Sequence, residues 1–260
     1  MNDREVSLLH KACMLLAIIG LMPITAFADT SGNVSGNSFR QAKKQLVHVY
    51  SDHRTSFYAG CAYGKKGHVK ASSCGYKARK NKKRGKKIEW EHVVPAWAFG
   101  HALQCWQNTV CTTSKGKAYK GRKCCGRSND TFRAMESDMH NLVPAIGELN
   151  GDRSNFRYGM ISGESRRYGD VDFEVDFKHR VAEPAMNVRG DIARTYFYME
   201  KVYGLNISKK QRRLFDVWNR EDPVDAWEVW RNKKIMALQG NSNPFVARFA
   251  ASVKTVKRTE

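Results

Sequence analysis

Hydrophobic and polar positions recur along this chain with two different periods, and each period marks a type of element. Phe39, Ala42, Leu46 and Tyr50 fall at helical spacing behind Ser38, so a helix is predicted from there. Residues 171–177, Val-Asp-Phe-Glu-Val-Asp-Phe, alternate strictly. They read as a half-buried strand with Val171, Phe173, Val175 and Phe177 inward and the acids toward water. A second helix is expected from about 191, carrying Ile192, Tyr196, Met199 and Tyr203 and stopped by Gly204. Ser208 is placed to cap a third helix. Asp222-Pro223 open a fourth that runs to Gly240 with Trp227, Trp230 and Leu238 inward. A strand fits Lys87 to Val94. The Gly-, Cys- and Lys-rich stretches 59–87 and 105–127 lack a helical period and read as long loops of the functional or disulfide-tied kind. No internal repeat or dividing linker is evident, which gives one α+β domain with few strands.

The first 28 residues stand apart from this pattern. Arg4, His10 and Lys11 precede an apolar run from Ala12 to Met22, followed by Ala26-Phe27-Ala28. A basic start, a short apolar stretch and an A-x-A site describe a secretory signal, cleaved near Ala28. The run is short for a membrane span and is interrupted by Pro23, so no stable membrane insertion is expected. Behind it, 29–37 is Ser/Gly/Asn-rich and reads as a flexible mature N-terminus, 38–248 as the folded domain and 249–260 as a basic tail.

Export changes the reading of the cysteines. Cys13 leaves with the leader, and Cys61, Cys74, Cys105, Cys111, Cys124 and Cys125 remain, an even set in an oxidising compartment. Cys61 with Cys74 is the expected local bridge, and the other four would make two more. A zinc site is disfavoured, because only Cys124 and Cys125 are close and adjacent cysteines chelate poorly.

Charge changes it again. The 260 residues hold 45 Lys+Arg against 25 Asp+Glu, a net +20, yet 42% are hydrophobic, so a packed core is compatible with a polyanion-binding surface. Eight of the eleven residues in 77–87 are Lys or Arg. Lys80, Lys82, Lys83, Arg84, Lys86 and Lys87 are the candidate contacts to a phosphate backbone.

Two stretches carry chemistry. Glu89-Trp90-Glu91-His92-Val93-Val94-Pro95-Ala96-Trp97 places two carboxylates and an imidazole within four residues. A carboxylate suits a hard divalent cation, and a neutral imidazole suits proton abstraction from water. Asp138 to Phe156 contains His140-Asn141-Leu142-Val143-Pro144, then Gly147-Glu148-Leu149-Asn150-Gly151-Asp152-Arg153-Ser154-Asn155. Pro144 is placed as the first residue of a helix, with Asn150 almost two turns in. His140 reads as a hydrogen-bonded structural residue rather than a metal ligand.

Together these stretches resemble the periplasmic and secreted endonuclease I family, one of the ββα-metal nucleases. The resemblance extends from Phe39 to about Phe245 and includes Ile192-Ala193-Arg194-Thr195-Tyr196 and Gln239-Gly240-Asn241 with Asn243-Pro244-Phe245. It implies an α+β fold around a ββα-metal core. Glu91 and Asn150 would be the protein ligands to Mg²⁺ or another divalent cation such as Mn²⁺. His92 would be the general base, Arg122 the phosphate-holding arginine, Glu89 an acid near the metal, and Asn141 the residue that orients His92 or its loop. The resemblance implies hydrolysis of both DNA and RNA; backbone-type contacts in view, rather than base readers, predict no sequence preference, and an exported monomer is expected. Family members carry a cysteine near the position of Ala59 and more in the C-terminal third, where this chain has none, so the pairing of Cys124 stays open. An unperturbed histidine base implies an acid limb near pH 6.5. Composition alone equally allows a non-catalytic exported binder of polyanions.

Overall fold

The computed structural model describes residues 32–163 and 165–247. The expected leader, its cleavage site and the basic tail lie outside them. In chain order come α1 (Phe39–Val49), α2 (Lys82–Gly85), β1 (Ile88–His92), α3 (Ala96–Gly100), α4 (Gln104–Gln107), β2 (Cys111–Thr112), β3 (Ala118–Tyr119), α5 (Arg122–Ser128), α6 (Asp130–Glu136) and β4 (Leu142–Ile146). They continue with α7 (Gly147–Arg153), β5 (Arg157–Tyr158), β6 (Phe173–Asp176), β7 (Val181–Pro184), α8 (Arg189–Tyr203), α9 (Lys209–Glu221) and α10 (Ala226–Gln239). This is a mixed α+β architecture with small sheets. No described helix is long and apolar enough to cross a membrane.

The element that positions the site is β1 paired antiparallel with β4, with α7 following β4 directly. The register sets Glu91 opposite Val143, Trp90 opposite Pro144 and Glu89 opposite Ala145. Pro144 therefore does not begin a helix. It lies in an apolar, buried strand segment that pairs as a sheet with β1 alone among the described residues, and its carbonyl accepts from Phe57 N–H at 2.7 Å. A two-stranded sheet has only edges, where the missing proline N–H costs no ladder bond. The helix begins at Gly147 instead, so Asn150 is its fourth residue, one turn in.

The pattern-based helices hold, with adjusted ends. Ser38 and Gln41 form a reciprocal capping box on α1, and Ser208 caps α9. Gly204 and Gly240 end α8 and α10 in the left-handed conformation, at φ 69° and 91°. The last helix starts at Ala226 rather than at Asp222-Pro223, because Asp225 and Glu228 make a second capping box that fixes the start beyond the proline. Its buried face runs Glu228, Asn232, Ile235 and Gln239. Leu238, expected inward, is 40% exposed. The strand expected over 171–177 shortens to Phe173–Asp176. Phe177 is 38% exposed and Glu174 is buried, so alternation fails at both.

The two long loops are ordered by cross-links and short elements. Cys61 pairs with Cys74, Cys105 with Cys125, and Cys111 with Cys124. Adjacent cysteines at the start of α5 thus reach back to α4 and to β2. Residues 32–37, expected to be flexible, are docked: Asn33 N–H donates to Tyr203 Oη at 2.8 Å, and its side-chain amide donates to Ser137 Oγ at 2.9 Å.

Candidate active site

Beside the β1–β4 pair, between α7 on one side and α1 and α5 on the other, is a cleft of about 540 Å³. Glu89, Glu91, His92, Arg122 and Asn150, taken from stretches far apart in sequence, all line it.

Glu91 and His92 end β1 and are buried. Oε1 of Glu91 accepts from Tyr58 Oη at 3.0 Å and lies 3.2 Å from Arg153 Nη1. Burial pushes the Glu91 carboxyl up to about 7, against the lowering effect of Arg153 and Tyr58. Nε2 of His92 lies 2.8 Å from the Glu136 main-chain carbonyl. A carbonyl can only accept, so Nε2 carries the proton and Nδ1 is the ring's lone-pair nitrogen. Burial first, then Arg122, pushes His92 down to about 3. The imidazole is therefore neutral well below pH 6.5, and the acid limb expected from an unperturbed histidine does not apply to it. Asn141 clamps the chain beyond His92, accepting from Val94 N–H at 2.7 Å and donating to Val94 O at 3.0 Å.

Helix α7 contributes several residues from one short segment. Asn150 Nδ2 donates to Glu89 Oε2 at 3.1 Å. Arg84 grips the same carboxylate with Nε at 2.8 Å and Nη2 at 2.5 Å. Glycine at 147 permits this approach, because a Cβ there would stand 2.8 Å from the Arg84 main-chain oxygen, and a Cβ at 151 would displace the Arg84 guanidinium. Arg84, grouped with the free cations by sequence, is thus committed to Glu89, while Lys80, Lys82, Lys83, Lys86 and Lys87 are exposed. Buried Glu148 anchors this basic segment by accepting from Lys80 N–H at 2.7 Å, Arg79 N–H at 3.0 Å, Asn81 N–H and Tyr76 Oη at 2.6 Å. Burial alone would raise its carboxyl, but these donors hold it below the ordinary value.

Arg122 opens α5 and is 43% exposed. Its Nε lies 2.6 Å from Glu136 Oε1, and its guanidinium stands 5.3 Å from the Phe39 ring centroid. That ring is 5.0 Å from His92 and also carries Lys43 at 4.4 Å. His140 is elsewhere: it is buried, its Nε2 lies 3.0 Å from Asn241 O, and it does not line the cleft.

Sequence reasoning missed several residues. Arg153 is fully buried three positions beyond Asn150, a spacing that returns to the same side of a helix and could have signalled it. Tyr58, Phe39, Lys43 and the Glu136 carbonyl reach the site from distant segments with no local signal. Among the described residues no three His, Cys, Asp or Glu side chains cluster as a metal site. The donors at hand are the Glu91 carboxylate and the Asn150 amide: its Nδ2 is engaged by Glu89, which leaves Oδ1 as the oxygen it can offer a cation. One or two protein oxygens suit Mg²⁺, which keeps most of its waters; they do not suit zinc. The residues fit the implied metal.

A solvated cleft holding a neutral imidazole, a buried carboxylate and an exposed arginine is the equipment of a hydrolase acting on an anion. The profile of the family described as Endonuclease I matches residues 26–249. An extracellular deoxyribonuclease of Aeromonas hydrophila is 49% identical over 88% of this chain and 97% of its own length. A periplasmic deoxyribonuclease of the same organism is 49% identical over 81% and 86%. Endonuclease-1 of Buchnera aphidicola from Acyrthosiphon pisum is 47% identical over 80% of each chain. This chain belongs to the endonuclease I family and is a nuclease.

Proposed function

We propose that this nuclease is an exported, Mg²⁺-dependent endonuclease of the ββα-metal type. It hydrolyses phosphodiester bonds of DNA, and of RNA as well, without sequence preference and as a monomer. The observation that carries the reading is the Glu136 carbonyl on His92 Nε2, which leaves Nδ1 as the acceptor in a cleft shared with Glu91 and Arg122. The His92 lone pair takes the proton of the attacking water as its oxygen bonds to phosphorus and the P–O3′ bond breaks. Arg122, pre-oriented by Glu136 and Phe39, binds non-bridging phosphate oxygens. Glu89 holds the Asn150 amide in place. A divalent cation held by Glu91 and Asn150, with water completing its shell, would neutralise charge on the phosphate and on the leaving oxygen. Backbone contact by exposed lysines is indifferent to sequence. The periplasmic and extracellular names of the relatives, together with three disulfides, favour export.

The test is incubation of the oxidised protein with plasmid DNA and with RNA, in Mg²⁺, in EDTA, and with His92→Ala. Degradation of both substrates that needs metal and His92 is expected. DNA retarded but intact in every condition would make the protein a binder, and cleavage surviving EDTA would remove the metal from the mechanism.

A further inference from the structure

Behind the cleft wall, two buried phenols and Arg153, none of them with a part in the proposed mechanism, converge on Glu91. Tyr158 Oη and Tyr58 Oη are 2.5 Å apart, and Tyr58 Oη is 3.0 Å from Glu91 Oε1. All three residues are buried. Proton counting fixes the direction. The single Tyr58 hydrogen goes to the carboxylate, so the Tyr158 hydrogen points to the Tyr58 oxygen at 2.5 Å, the nearer of its two acceptors, with Val93 O at 3.4 Å, and the chain runs Tyr158 to Tyr58 to Glu91. In such a relay each bond polarises the next. Arg153 reaches the same oxygen, Oε1, from the other side at 3.2 Å while its guanidinium lies 4.6 Å from the Tyr158 ring centroid. The same guanidinium donates to His92 O at 3.0 Å and to Val93 O.

From this arrangement we infer that Tyr158, Tyr58 and Arg153 are positioning residues of the nuclease: they hold Glu91 by Oε1 so that it offers a cation the single oxygen Oε2, and Arg153 locks that carboxylate to the backbone carrying His92. The inference rests on the reading of Glu91 as a metal ligand. Its physical basis is that a carboxylate free to rotate presents either oxygen or both. A hydrogen bond from Tyr58 and the charge of Arg153, both at Oε1, restrict that freedom before any cation arrives, and the small Mg²⁺ ion demands near-ideal geometry. Arg153 is the last residue of α7 and Asn150 lies one turn earlier, so one side chain ties together the two candidate ligands and the base. Partners of this kind behind a metal ligand alter metal affinity or activity about 10–100-fold when removed.

The test is Mn²⁺ titration calorimetry on nucleic-acid-free protein together with steady-state cleavage of plasmid DNA. The variants are Tyr58→Phe, Tyr158→Phe, their double mutant, Arg153→Lys and Glu91→Gln, each with its melting temperature recorded. Tyr58→Phe should weaken Mn²⁺ binding about tenfold or more. It should lower kcat at fixed metal while leaving KM for DNA and DNA binding in EDTA unchanged. Tyr158→Phe should do the same to a smaller degree, and should add little in the Tyr58→Phe background because its effect on Glu91 passes through that phenol. Arg153→Lys keeps the charge but cannot span the carboxylate and two carbonyls, so it should lose both metal affinity and kcat. If Glu91→Gln abolishes Mn²⁺ binding while both phenylalanine variants bind as wild type, the positioning role is overturned and the ligand assignment survives. If Glu91→Gln binds Mn²⁺ normally, the ligand assignment falls and the inference with it. Should Arg153→Lys fail to fold, the two phenylalanine variants, which remove single hydroxyls, still decide the matter.

Discussion

The two walls of the cleft are built differently. The β1–α7 wall is interlocked: Tyr58 and Arg153, both buried, meet buried Glu91 by a hydrogen bond and an ion pair, and Glu89 joins Arg84 to Asn150. The facing wall is lighter. Arg122 is half-exposed, held by one carboxylate and one aromatic ring, on a short helix fastened by disulfides rather than by a sheet. Under the proposed function the first wall holds a cation at fixed distances and gains from rigidity. Under the same reading the second wall meets a flexible polyanion and gains from a solvated, reachable charge. Substitutions on the first wall should therefore abolish chemistry, and those on the second should weaken the hold on phosphate.

The sharpest break is His92→Ala, where loss of a general base should lower kcat about 10²–10⁴-fold in a plasmid-nicking assay. A loss under tenfold would assign the proton transfer elsewhere. Asn150→Ala should act on the same wall, raising the Mg²⁺ concentration needed for half-maximal rate about 10–100-fold with little change in DNA affinity measured in EDTA.

The pH dependence separates two groups of the first wall, Glu91 and His92. Glu91, raised to about 7 in the metal-free protein, takes up a proton as pH falls through that value and loses its charge. Cation capture should therefore weaken below about pH 7 and strengthen above it. His92, held down to about 3, stays neutral over this range and contributes no limb there. At limiting Mg²⁺ the rate should fall below pH 7, and saturating Mg²⁺ should move that limb to lower pH. Rate profiles at two metal concentrations check it, and a limb fixed near 6.5 at both would return the titration to the histidine.

On the lighter wall, Arg122→Lys keeps charge but loses the planar fork. It should cost about tenfold in kcat/KM, comparable to losing one charge-assisted hydrogen bond. The smallest expected effect is at the exposed lysines. Each of Lys80, Lys82, Lys83, Lys86 and Lys87 changed singly to Ala should leave kcat unchanged and, if it meets a phosphate, reduce the slope of log affinity against log salt by about 0.9. Binding of inactive His92→Ala protein to duplex DNA across a salt series measures this.

The sequence determined a good deal by itself. Ser38, Gly204, Ser208 and Gly240 marked helix ends because capping is local chemistry, readable in a few residues. The adjacent Glu91 and His92 and the later Asn150 marked the cleft because one short strand and one helical turn carry them. The even cysteine set marked cross-linked loops, and their pairing was partly legible from spacing. Tertiary structure decided the rest. Pro144 lies in a strand because β1 covers its segment, and Glu174 is buried because its strand lies within the packed domain rather than at a half-wetted face. His92 keeps its lone pair at Nδ1 because a carbonyl 44 residues away meets Nε2, and Glu91 is steered by a phenol 33 residues earlier. Ionisation and side-chain orientation depend on burial and on partners brought in from other segments. Neither quantity is a property of a local run of residues, so both entered only with the fold.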